Sequence, residues 1–439
     1  MTTPLTLIAT LTARPGHAEA VEVGLRQLVP PSQAEAGCLQ YNLHRHQEHP
    51  NRFIMVEQWQ DAAALSAHQQ TAHFLHFGET CGNLLEQVDH QLMHALSKEH
   101  FMKAVAYYHS LPADHADALQ DAELPAPTPG PRDLLVEVKA ISVNPVDTKI
   151  RRNVAPTDGD AKVLGWDASG IVKAVGSEVS LFQPGDRVYY AGAINRAGAN
   201  SELHVVDERI VGHMPNSLPF AEAAALPLTA ITAWELRFAR LQIPQGNADQ
   251  GQSLLIVGAA GGVGSVLVQL ARQLTGLTVI GTASRPETQA WVRELGAHHV
   301  IDHRQPLSEE LKRIGIDQVT HVASLTQTDQ HFAQLVEALA PQGRLALIDD
   351  PEQPLDIMQL KRKSLSLHWE LMFTRSLFET ADMIEQNRLL DRVAELVDAG
   401  TLRTTLGEHF GSINAANLRR AHALLESGTA KGKIVLEGF

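Results

Sequence analysis

Residues 254–264 have the sequence LLIVGAAGGVG, a buried strand that runs into a glycine-rich turn, and most of the chain is organised around them. Such glycines let the backbone turn tightly, approach a pyrophosphate closely and pack the following helix against the strand. The N-terminus of that helix, Ser265 to Leu274, offers unpaired N–H groups and a partial positive charge to an anion. The stretch therefore predicts a dinucleotide site with these contacts: Gly258, Gly261, Gly262, Val263 and Gly264.

Strands and helices alternate after this turn. The predicted strands are 277–281, 300–302, 319–325 and 344–349, with one helix opened by Pro286 and another from Asp329 to Ala340. This spacing predicts right-handed crossovers and a doubly wound parallel sheet, an α/β arrangement that binds ligands at the carboxyl ends of its strands.

The composition favours a small molecule as the partner of this chain. Its 439 residues carry a net charge of −14, and Lys and Arg form no clusters, which disfavours nucleic acid and anionic membranes. Two cysteines, Cys38 and Cys81, are too few for a disulfide framework or a thiolate zinc site. Because no signal-like N-terminus or membrane-length apolar run occurs, we expect a soluble, cytoplasmic protein.

Residues 1–98 have the pattern of a separate α+β unit. Alternation from Leu5 to Ala13 places Leu5, Leu7, Ala9 and Leu11 on one face of a strand. Further strands are predicted at 39–46, 52–59 and 88–96, with helices at 18–28 and after Asp61 and Thr71. The predicted order is βαββαβ.

This order, with Glu57-x-Trp59 ending the third strand and LSAHQQTAHF following it, resembles the antibiotic biosynthesis monooxygenase family of small ferredoxin-like, dimeric barrels. The resemblance covers residues 1–97 and implies a quinol-monooxygenase-like domain, with Trp59, His68 and His73 as pocket candidates. The alternative is that Trp59 is a core aromatic and the two histidines lie on a helix surface.

A metal site is not predicted in this region. His44 and His46 share a strand face and His49 follows them, but no carboxylate or cysteine completes the set at ligand spacing.

A second segment begins after the polar joint Ser97–His100. A strand starts at Phe101, the stretch from Leu134 to Ala140 alternates, and short strands with Gly and Pro turns continue to about Val211. Such strands predict a small antiparallel barrel. Helical patterns at 391–399 and 414–426 and a final strand at 432–437 return to the same lobe.

Residues 102–439 resemble the medium-chain dehydrogenase/reductase superfamily, and within it the quinone-oxidoreductase-like proteins often labelled zinc-type alcohol dehydrogenases. The matching motifs are the glycine turn, ISVNPVD (141–147), LGWDASG (164–170), FQPGDRV (182–188), ALPLTAITAW (225–234) and GKIVL (432–436). The resemblance implies a GroES-like lobe at 102–231 and 373–439, and a Rossmann domain at 232–372.

The zinc ligands of the superfamily are missing from these motifs. Asn144 and Pro145 stand near the cysteine position, Trp166-Asp167 replaces the histidine motif, and the four-cysteine loop is absent, so we predict activity without a metal. Hydride transfer from a reduced nicotinamide to a quinone or enone is then the easier reaction.

Two residues are candidates for catalysis at the nicotinamide end. The resemblance implies that Asn144 and Lys149 orient the substrate and supply a proton, the alternative being a turn residue and a solvated lysine. Trp166, Tyr189 and Trp369 are predicted as an apolar floor for a planar ring, or else as core residues.

The end of the second strand of the parallel sheet predicts NADPH. In place of the acidic residue of NAD enzymes the chain has Thr282-Ala-Ser-Arg285, so Arg285 can bind a 2′-phosphate beside the helix that Ser284 begins. The same residues, Ser284 to Glu287, also fit a capping box with no ligand. The resemblance adds Thr232 and His303 as cofactor contacts.

Three functions follow from these predictions. The first is an NADPH-dependent quinone or enone reductase with an attached quinol-monooxygenase-like domain. The others are zinc-type alcohol dehydrogenase activity and NADPH binding or sensing without turnover. Because both families associate through sheet edges or barrels, we expect a homodimer or a dimer of dimers.

Overall fold

The computed structural model describes residues 4–93, 101–157, 159–246, 248 and 250–439. It divides into two units, Met1–Glu99 and His100–Phe439. The predicted joint Ser97–His100 and the last three residues of the predicted strand at 88–96 lie outside the described residues. Within the described ranges, none of the helices combines the length and apolarity needed to cross a membrane.

A four-stranded antiparallel sheet forms the first unit, in the order β2-β3-β1-β4. Its elements are β1 Leu5–Ala13, α1 Ala18–Gln33, β2 Cys38–Arg45, β3 Arg52–Trp59, α2 Ala62–His68, α3 Ala72–Cys81 and β4 Leu85–Met93. Leu7, Ala9 and Leu11 of β1 are buried, as the alternation predicts. Helix α1 continues past its predicted end through Pro30 and Pro31, where the Ser32 hydroxyl donates to the Leu28 carbonyl.

The second unit begins with the strands of a barrel. They are β5 Phe101–Tyr107, β6 Gln120–Pro125, β7 Asp133–Val143, β8 Lys162–Val163, β9 Ala168–Val175, β10 Arg187–Tyr190, β11 Leu203–Asp207 and β12 Val211–His213. Helix α4, Pro145–Asn153, follows β7, and two helices, α5 Phe220–Ala224 and α6 Pro227–Glu235, lead out of the barrel.

A six-stranded parallel sheet follows. Its elements are β13 Ser253–Val257, α7 Gly262–Leu274, β14 Thr278–Thr282, α8 Pro286–Glu294, β15 His299–Ile301, α9 Leu307–Arg313, β16 Val319–Ser324, α10 Thr328–Ala338, β17 Leu339–Leu347 and β18 Ser366–Trp369. The strand order β15-β14-β13-β16-β17-β18 places β13 at the centre, where the order reverses. The predicted doubly wound sheet is confirmed.

Two details of this sheet differ from the prediction. Helix α10 ends at Ala338 and β17 begins at Leu339, because the pairing of β16 with β17 already starts at Val319 and Leu339. Helix α9 has only Leu307 and Leu311 buried, and this single apolar pair is too short a pattern to predict a helix.

The last part of the chain returns to the barrel. Its elements are α11 Thr374–Phe378, α12 Glu385–Asp398, β19 Leu406–His409, α13 Ala415–Glu426 and β20 Lys433–Glu437. Strand β20 pairs antiparallel with β7, Ile434 opposite Val143, and parallel with β19. The start of β20 therefore lies beside the loop that joins β7 to α4.

Candidate functional site

The glycine turn lies at the carboxyl end of the central strand β13, and its glycines serve different purposes. Gly258 has φ +81°, which favours glycine, and a Cβ on Gly264 would lie 2.4 Å from the Gly258 carbonyl oxygen. A Cβ on Gly261 would meet only that oxygen, at 3.5 Å. Helix α7 begins at Gly262, so its first-turn N–H groups and the open space beside Gly261 lie at the same end of the helix.

The barrel and the parallel sheet meet at this turn. A Cβ on Gly262 would lie 2.9 Å from Lys433 Cδ, on β20, and 3.0 Å from Thr229 Cγ2, on α6. One turn further along α6, the buried Thr232 hydroxyl donates to the Leu228 carbonyl at 2.8 Å. Thr229 is thus the α6 residue next to the turn, and Thr232, whose hydroxyl is engaged within its own helix, stays a predicted cofactor contact.

A buried charge network joins the barrel strands at the same place. Lys433 Nζ forms an ion pair of 2.9 Å with Asp167 Oδ2, and the two side chains are 3% and 0% exposed. Lys433 also donates to Asn144 Oδ1 and to the Val143 carbonyl. Asn144 Nδ2 donates to Asp167 Oδ2 at 3.1 Å, and Asp167 Oδ1 accepts the Leu228 N–H. The amide of Asn144 is thus fixed by a cation on one side and an anion on the other.

Asp147 completes the buried group. Its carboxylate accepts the N–H groups of Asn144, at 2.6 Å, and Gly165, at 3.1 Å, and so fixes the start of α4. Burial raises the pKa of Asp147 to about 7 and also raises the pKa of Asp167, against which the charge of Lys433 acts. Asn144, Asp147, Asp167 and Lys433 form one connected network, of which sequence reasoning selected only Asn144.

Lys149 lies on the outer side of the same helix. Its Nζ forms an ion pair of 2.7 Å with Asp350 Oδ2, and the two side chains are 39% and 79% exposed. Asp350 follows β17, so this ion pair connects α4 to the carboxyl edge of the parallel sheet, where ligands of such sheets bind.

The predicted phosphate-binding residues lie at the end of β14. Arg285 is the N-cap of α8, with Nη2 donating to the Thr429 carbonyl at 2.8 Å and Nε 3.1 Å from Glu287 Oε1. The predicted capping box is absent here, because the helix begins at Pro286 and Glu287 pairs with Arg285 instead of the Ser284 N–H. A second arginine that the prediction missed, Arg304, donates to the Ser284 carbonyl at 2.9 Å.

His303 precedes Arg304 and packs beneath this edge. Its ring centroid lies 6.1 Å from that of His331 on α10, and burial lowers the pKa of both imidazoles. Within the described part of the chain, His303 Nδ1 has no hydrogen-bond partner. This nitrogen is buried beside His331, and the adenosine contact of His303 stays a prediction.

The three predicted pocket aromatics are not brought together as a floor. Trp166 and Tyr189 are almost completely buried, and they donate to the carbonyls of Ala193 and Leu390, so both are barrel core. Trp369 ends the edge strand β18 and is 53% exposed. Core packing explains the first two better than contact with a substrate.

The first unit brings its predicted pocket residues together. The rings of Trp59 and His68 lie 4.6 Å apart, and His68 and His73 both contact one oxygen of Glu35, Nδ1 at 2.7 Å and Nε2 at 2.6 Å. His68 is 1% exposed, so it does not lie on a helix surface. Glu35, which sequence reasoning missed, lies in the loop between α1 and β2, and no local pattern connects it to the distant histidines.

Models of known protein families match the two units separately. Residues 4–80 match the antibiotic biosynthesis monooxygenase model, residues 130–226 the alcohol dehydrogenase GroES-like domain, and residues 295–436 the zinc-binding dehydrogenase model.

Individual relatives match the second unit. A zinc-type alcohol dehydrogenase-like protein of Staphylococcus aureus is 38% identical over 76% of this chain and 99% of its own length. A quinone oxidoreductase of Pseudomonas aeruginosa is 32% identical over 70% and 92%. Among solved structures, one from Rhizobium etli, described as a zinc-dependent alcohol dehydrogenase, has 58% identity and a TM-score of 0.75 over 77% of this chain and 99% of that chain. Escherichia coli quinone oxidoreductase complexed with NADPH has 26% identity and a TM-score of 0.65 over 76% and 99%.

The second unit thus has the barrel, the parallel sheet and the glycine turn of a two-lobed, nucleotide-dependent oxidoreductase. The chain belongs to the medium-chain dehydrogenase/reductase superfamily and carries an N-terminal domain of the antibiotic biosynthesis monooxygenase family. Both predicted resemblances are confirmed.

Proposed function

We propose that the second unit is an NADPH-dependent reductase that transfers hydride to a quinone or an enone without zinc. The observation that carries this proposal is the buried network of Asn144, Asp167 and Lys433 beside the glycine turn. Zinc needs thiolate, imidazole or unpaired carboxylate ligands. Here the carboxylate of Asp167 is paired with an ammonium group 2.9 Å away, so the residues present do not fit the metal.

The glycine turn and the end of β14, in contrast, do fit a dinucleotide. The open space at Gly261 and the first-turn N–H groups of α7 suit a pyrophosphate, and Arg285 suits a 2′-phosphate. The bound NADPH would supply the hydride. Asn144 would then act as a positioning residue: its buried amide is bonded to Lys433 and Asp167 and holds the start of α4, and with it Lys149, in place beside the substrate.

Lys149 is the proposed proton donor. Its ammonium group carries transferable protons, is paired with Asp350 at the carboxyl edge of the parallel sheet and remains 39% exposed, so solvent can return the proton after each turnover. Its ion pair with Asp350 holds it near the carboxyl ends of the strands. A substrate oxygen that gains negative charge during hydride transfer would compete with Asp350 for the same ammonium group.

Steady-state NADPH oxidation with a panel of quinones and enones tests the proposal. We expect turnover with at least one of them, a lower kcat for Lys149→Met, and an unchanged rate for Lys173→Met, a lysine on β9 that pairs with Glu137. Tight NADPH binding without oxidation of any acceptor would instead support the nucleotide-sensing alternative.

Dialysis against a strong chelator separates this function from zinc-type alcohol dehydrogenase activity, the name that several relatives carry. We expect the rate of NADPH oxidation to survive dialysis. A rate that falls and returns when zinc is added would refute the metal-free proposal.

A further inference from the structure

Three side chains from separate parts of the first unit converge on one point. Glu35 comes from the loop after α1, His68 ends α2, and His73 lies in the first turn of α3. Their nearest ligand atoms all lie within 4.8 Å of one another, and in the described part of the chain this is the group of His, Cys, Asp and Glu residues close enough to hold an ion. Two imidazoles and one carboxylate are a donor set that first-row transition metals bind.

The contacts of Glu35 with the two histidines are hydrogen bonds, and they are shorter than the spacing between ligand atoms around a metal ion. Glu35 Oε1 lies 2.7 Å from His68 Nδ1 and 2.6 Å from His73 Nε2, so protons on the imidazoles occupy the place of a cation. Around a tetrahedral ion with bonds of about 2.1 Å, ligand atoms lie about 3.4 Å apart. The carboxylate would have to move away from the two nitrogens by about 0.7–0.8 Å, which the Glu35 side-chain torsions allow. The two imidazole nitrogens, which lie within 4.8 Å of each other, would also have to approach one another, and the partly exposed His73 is the ring with room to shift.

The surroundings of His68 hold the imidazole in one orientation. Its ring packs against Trp59, with centroids 4.6 Å apart, and against Phe74, at 4.8 Å. The other nitrogen, Nε2, lies 3.4 Å from the Tyr41 hydroxyl oxygen, which can accept a hydrogen bond from Nε2–H when Nδ1 is a metal ligand. A partner on the second nitrogen is the usual support of a metal-binding histidine.

The other two residues leave a path from solvent. The side chains of Glu35 and His73 are 14% and 26% exposed, whereas His68 is 1% exposed. The Thr71 hydroxyl lies 3.1 Å from His73 Nε2, so it could hydrogen-bond to a water on the open side of an ion. The arrangement therefore has one buried and two solvent-accessible ligand residues.

We propose that Glu35, His68 and His73 bind one divalent first-row transition-metal ion, of the class of Zn²⁺, Co²⁺ or Fe²⁺. The site lies in the first unit and is independent of the metal-free reductase proposed for the second. The competing description is a permanent hydrogen-bonded relay, in which Glu35 accepts from both histidines and no ion enters.

Titration of the full-length, chelator-treated chain with Co²⁺ and Zn²⁺ distinguishes the two descriptions. We expect one tight site per chain by calorimetry, and the visible absorption of Co²⁺ in a site with nitrogen ligands. Glu35→Gln and His73→Ala should each weaken this site by at least about 100-fold, more than the loss of an outer partner of a ligand usually does. Glu35→Gln keeps the side-chain shape and His73 is partly exposed, so both variants should fold.

Two histidine variants serve as matched controls. His76→Ala removes an exposed imidazole of the same helix, and His46→Ala removes one of a pair whose ring centroids lie 4.8 Å apart. Both should bind as the original chain does. No tight site, equal affinity in Glu35→Gln and His73→Ala, or loss of the site in His46→Ala would each overturn the proposal. Turnover of NADPH does not enter this test, so its result stands apart from that of the reductase assay.

Discussion

The ammonium group of Lys433 is buried at 3% exposure and opposes a carboxylate at 0% exposure, in surroundings where a lone charge is costly. Lys433→Met would leave Asp167 without its counter-ion. We expect the free energy of unfolding to fall by about 3–5 kcal/mol, the usual cost of breaking a buried ion pair from one side. Urea denaturation at pH 7 measures it. The double variant Lys433→Met/Asp167→Asn should recover part of the loss, and a single-variant loss below about 1 kcal/mol would contradict the buried pair.

His422 on α13 gives the unfolding free energy a dependence on pH. Burial, and then the charge of Arg151, whose Nη1 lies 3.1 Å from His422 Nδ1, lowers the pKa of this imidazole to about 3. The unfolded chain therefore binds one more proton than the folded chain between about pH 3 and 6.5, so stability falls as the pH falls through this window. Between pH 7 and pH 5 the loss attributable to His422 is about 2 kcal/mol.

The variant His422→Gln isolates this contribution, because Gln still accepts from Arg151 and does not titrate. Denaturant unfolding at pH 7 and pH 5 should show a smaller fall in stability for the variant by about that 2 kcal/mol. His409→Gln, an exposed histidine of β19, is the control. Equal falls in His422→Gln and the original chain would show that His422 does not carry the pH dependence.

The preference for NADPH is a further prediction about a single residue. Arg285 has one partner in the Thr429 carbonyl and another in Glu287, so its guanidinium is already held at the end of β14. We expect Arg285→Ala to weaken NADPH binding by about 1–3 kcal/mol, the worth of a charge-assisted hydrogen bond, and to leave NADH nearly unchanged. Fluorescence titration with both cofactors measures it. Arg304→Ala is the comparison, and equal losses for NADPH and NADH in Arg285→Ala would refute the phosphate contact.

At the scale of elements, the glycine turn makes a prediction that separates folding from binding. Gly261→Ala adds a Cβ that meets only a carbonyl oxygen at 3.5 Å, so the free energy of unfolding should change by less than about 0.5 kcal/mol. The new methyl group would occupy space proposed for the pyrophosphate, and NADPH binding should weaken about 5- to 150-fold, the equivalent of a 1–3 kcal/mol clash.

Gly264→Ala is the contrasting variant in the same turn. Its Cβ would lie 2.4 Å from the Gly258 carbonyl oxygen and 2.6 Å from Ala259 Cα, so the backbone itself must move. We expect a loss of about 1–3 kcal/mol in unfolding free energy. Thermal unfolding and NADPH titration of both variants provide the test, and a Gly261→Ala variant that unfolds as early as Gly264→Ala would contradict the different roles of the two glycines.

The elements that the sequence predicts well are those whose signals lie within a few residues of one another. Strand β13, its turn and α7 form such a unit, and so do β1 and β3 with their alternating faces. Helix α9, with its single buried pair, offers too little local pattern, and the start of β17 depends on pairing with β16. The fold class follows from the local signals, whereas the element ends depend on tertiary contacts.

The candidate sites could not be predicted from local signals, because their residues come together only in the folded chain. Asp167 precedes β9 and Lys433 begins β20, yet their side chains lie 2.9 Å apart. The GKIVL motif contains this lysine, but only the pairing of β20 with β7 places it beside Asn144. Glu35 and Arg304 were missed for the same reason, and the resemblance could contribute only positions that its motifs contain.

At the scale of the whole molecule, each unit has an apolar surface at a sheet edge. In the first unit β4 is an edge strand, and three of its apolar side chains, Val88, Leu92 and Met93, are 37–62% exposed. In the second unit β18 is the edge of the parallel sheet, and Trp369 and Leu371 are about half exposed there. Edge strands with exposed apolar residues are typical of surfaces that a second copy covers.

We therefore expect the chain to form a homodimer, or a dimer of dimers if both surfaces are used. Light scattering at micromolar concentration should give about two or four times the 47.9 kDa of one chain. Leu371→Asp and Leu92→Asp place a charge in each surface separately, and the variant that lowers the mass identifies the surface that holds the copies together. Val23→Asp, at an exposed position on α1, is the control and should leave the mass unchanged. A mass of one chain for the original protein would refute self-association, and Trp369 would then be an exposed aromatic at the carboxyl end of β18, open to the substrate contact first predicted for it.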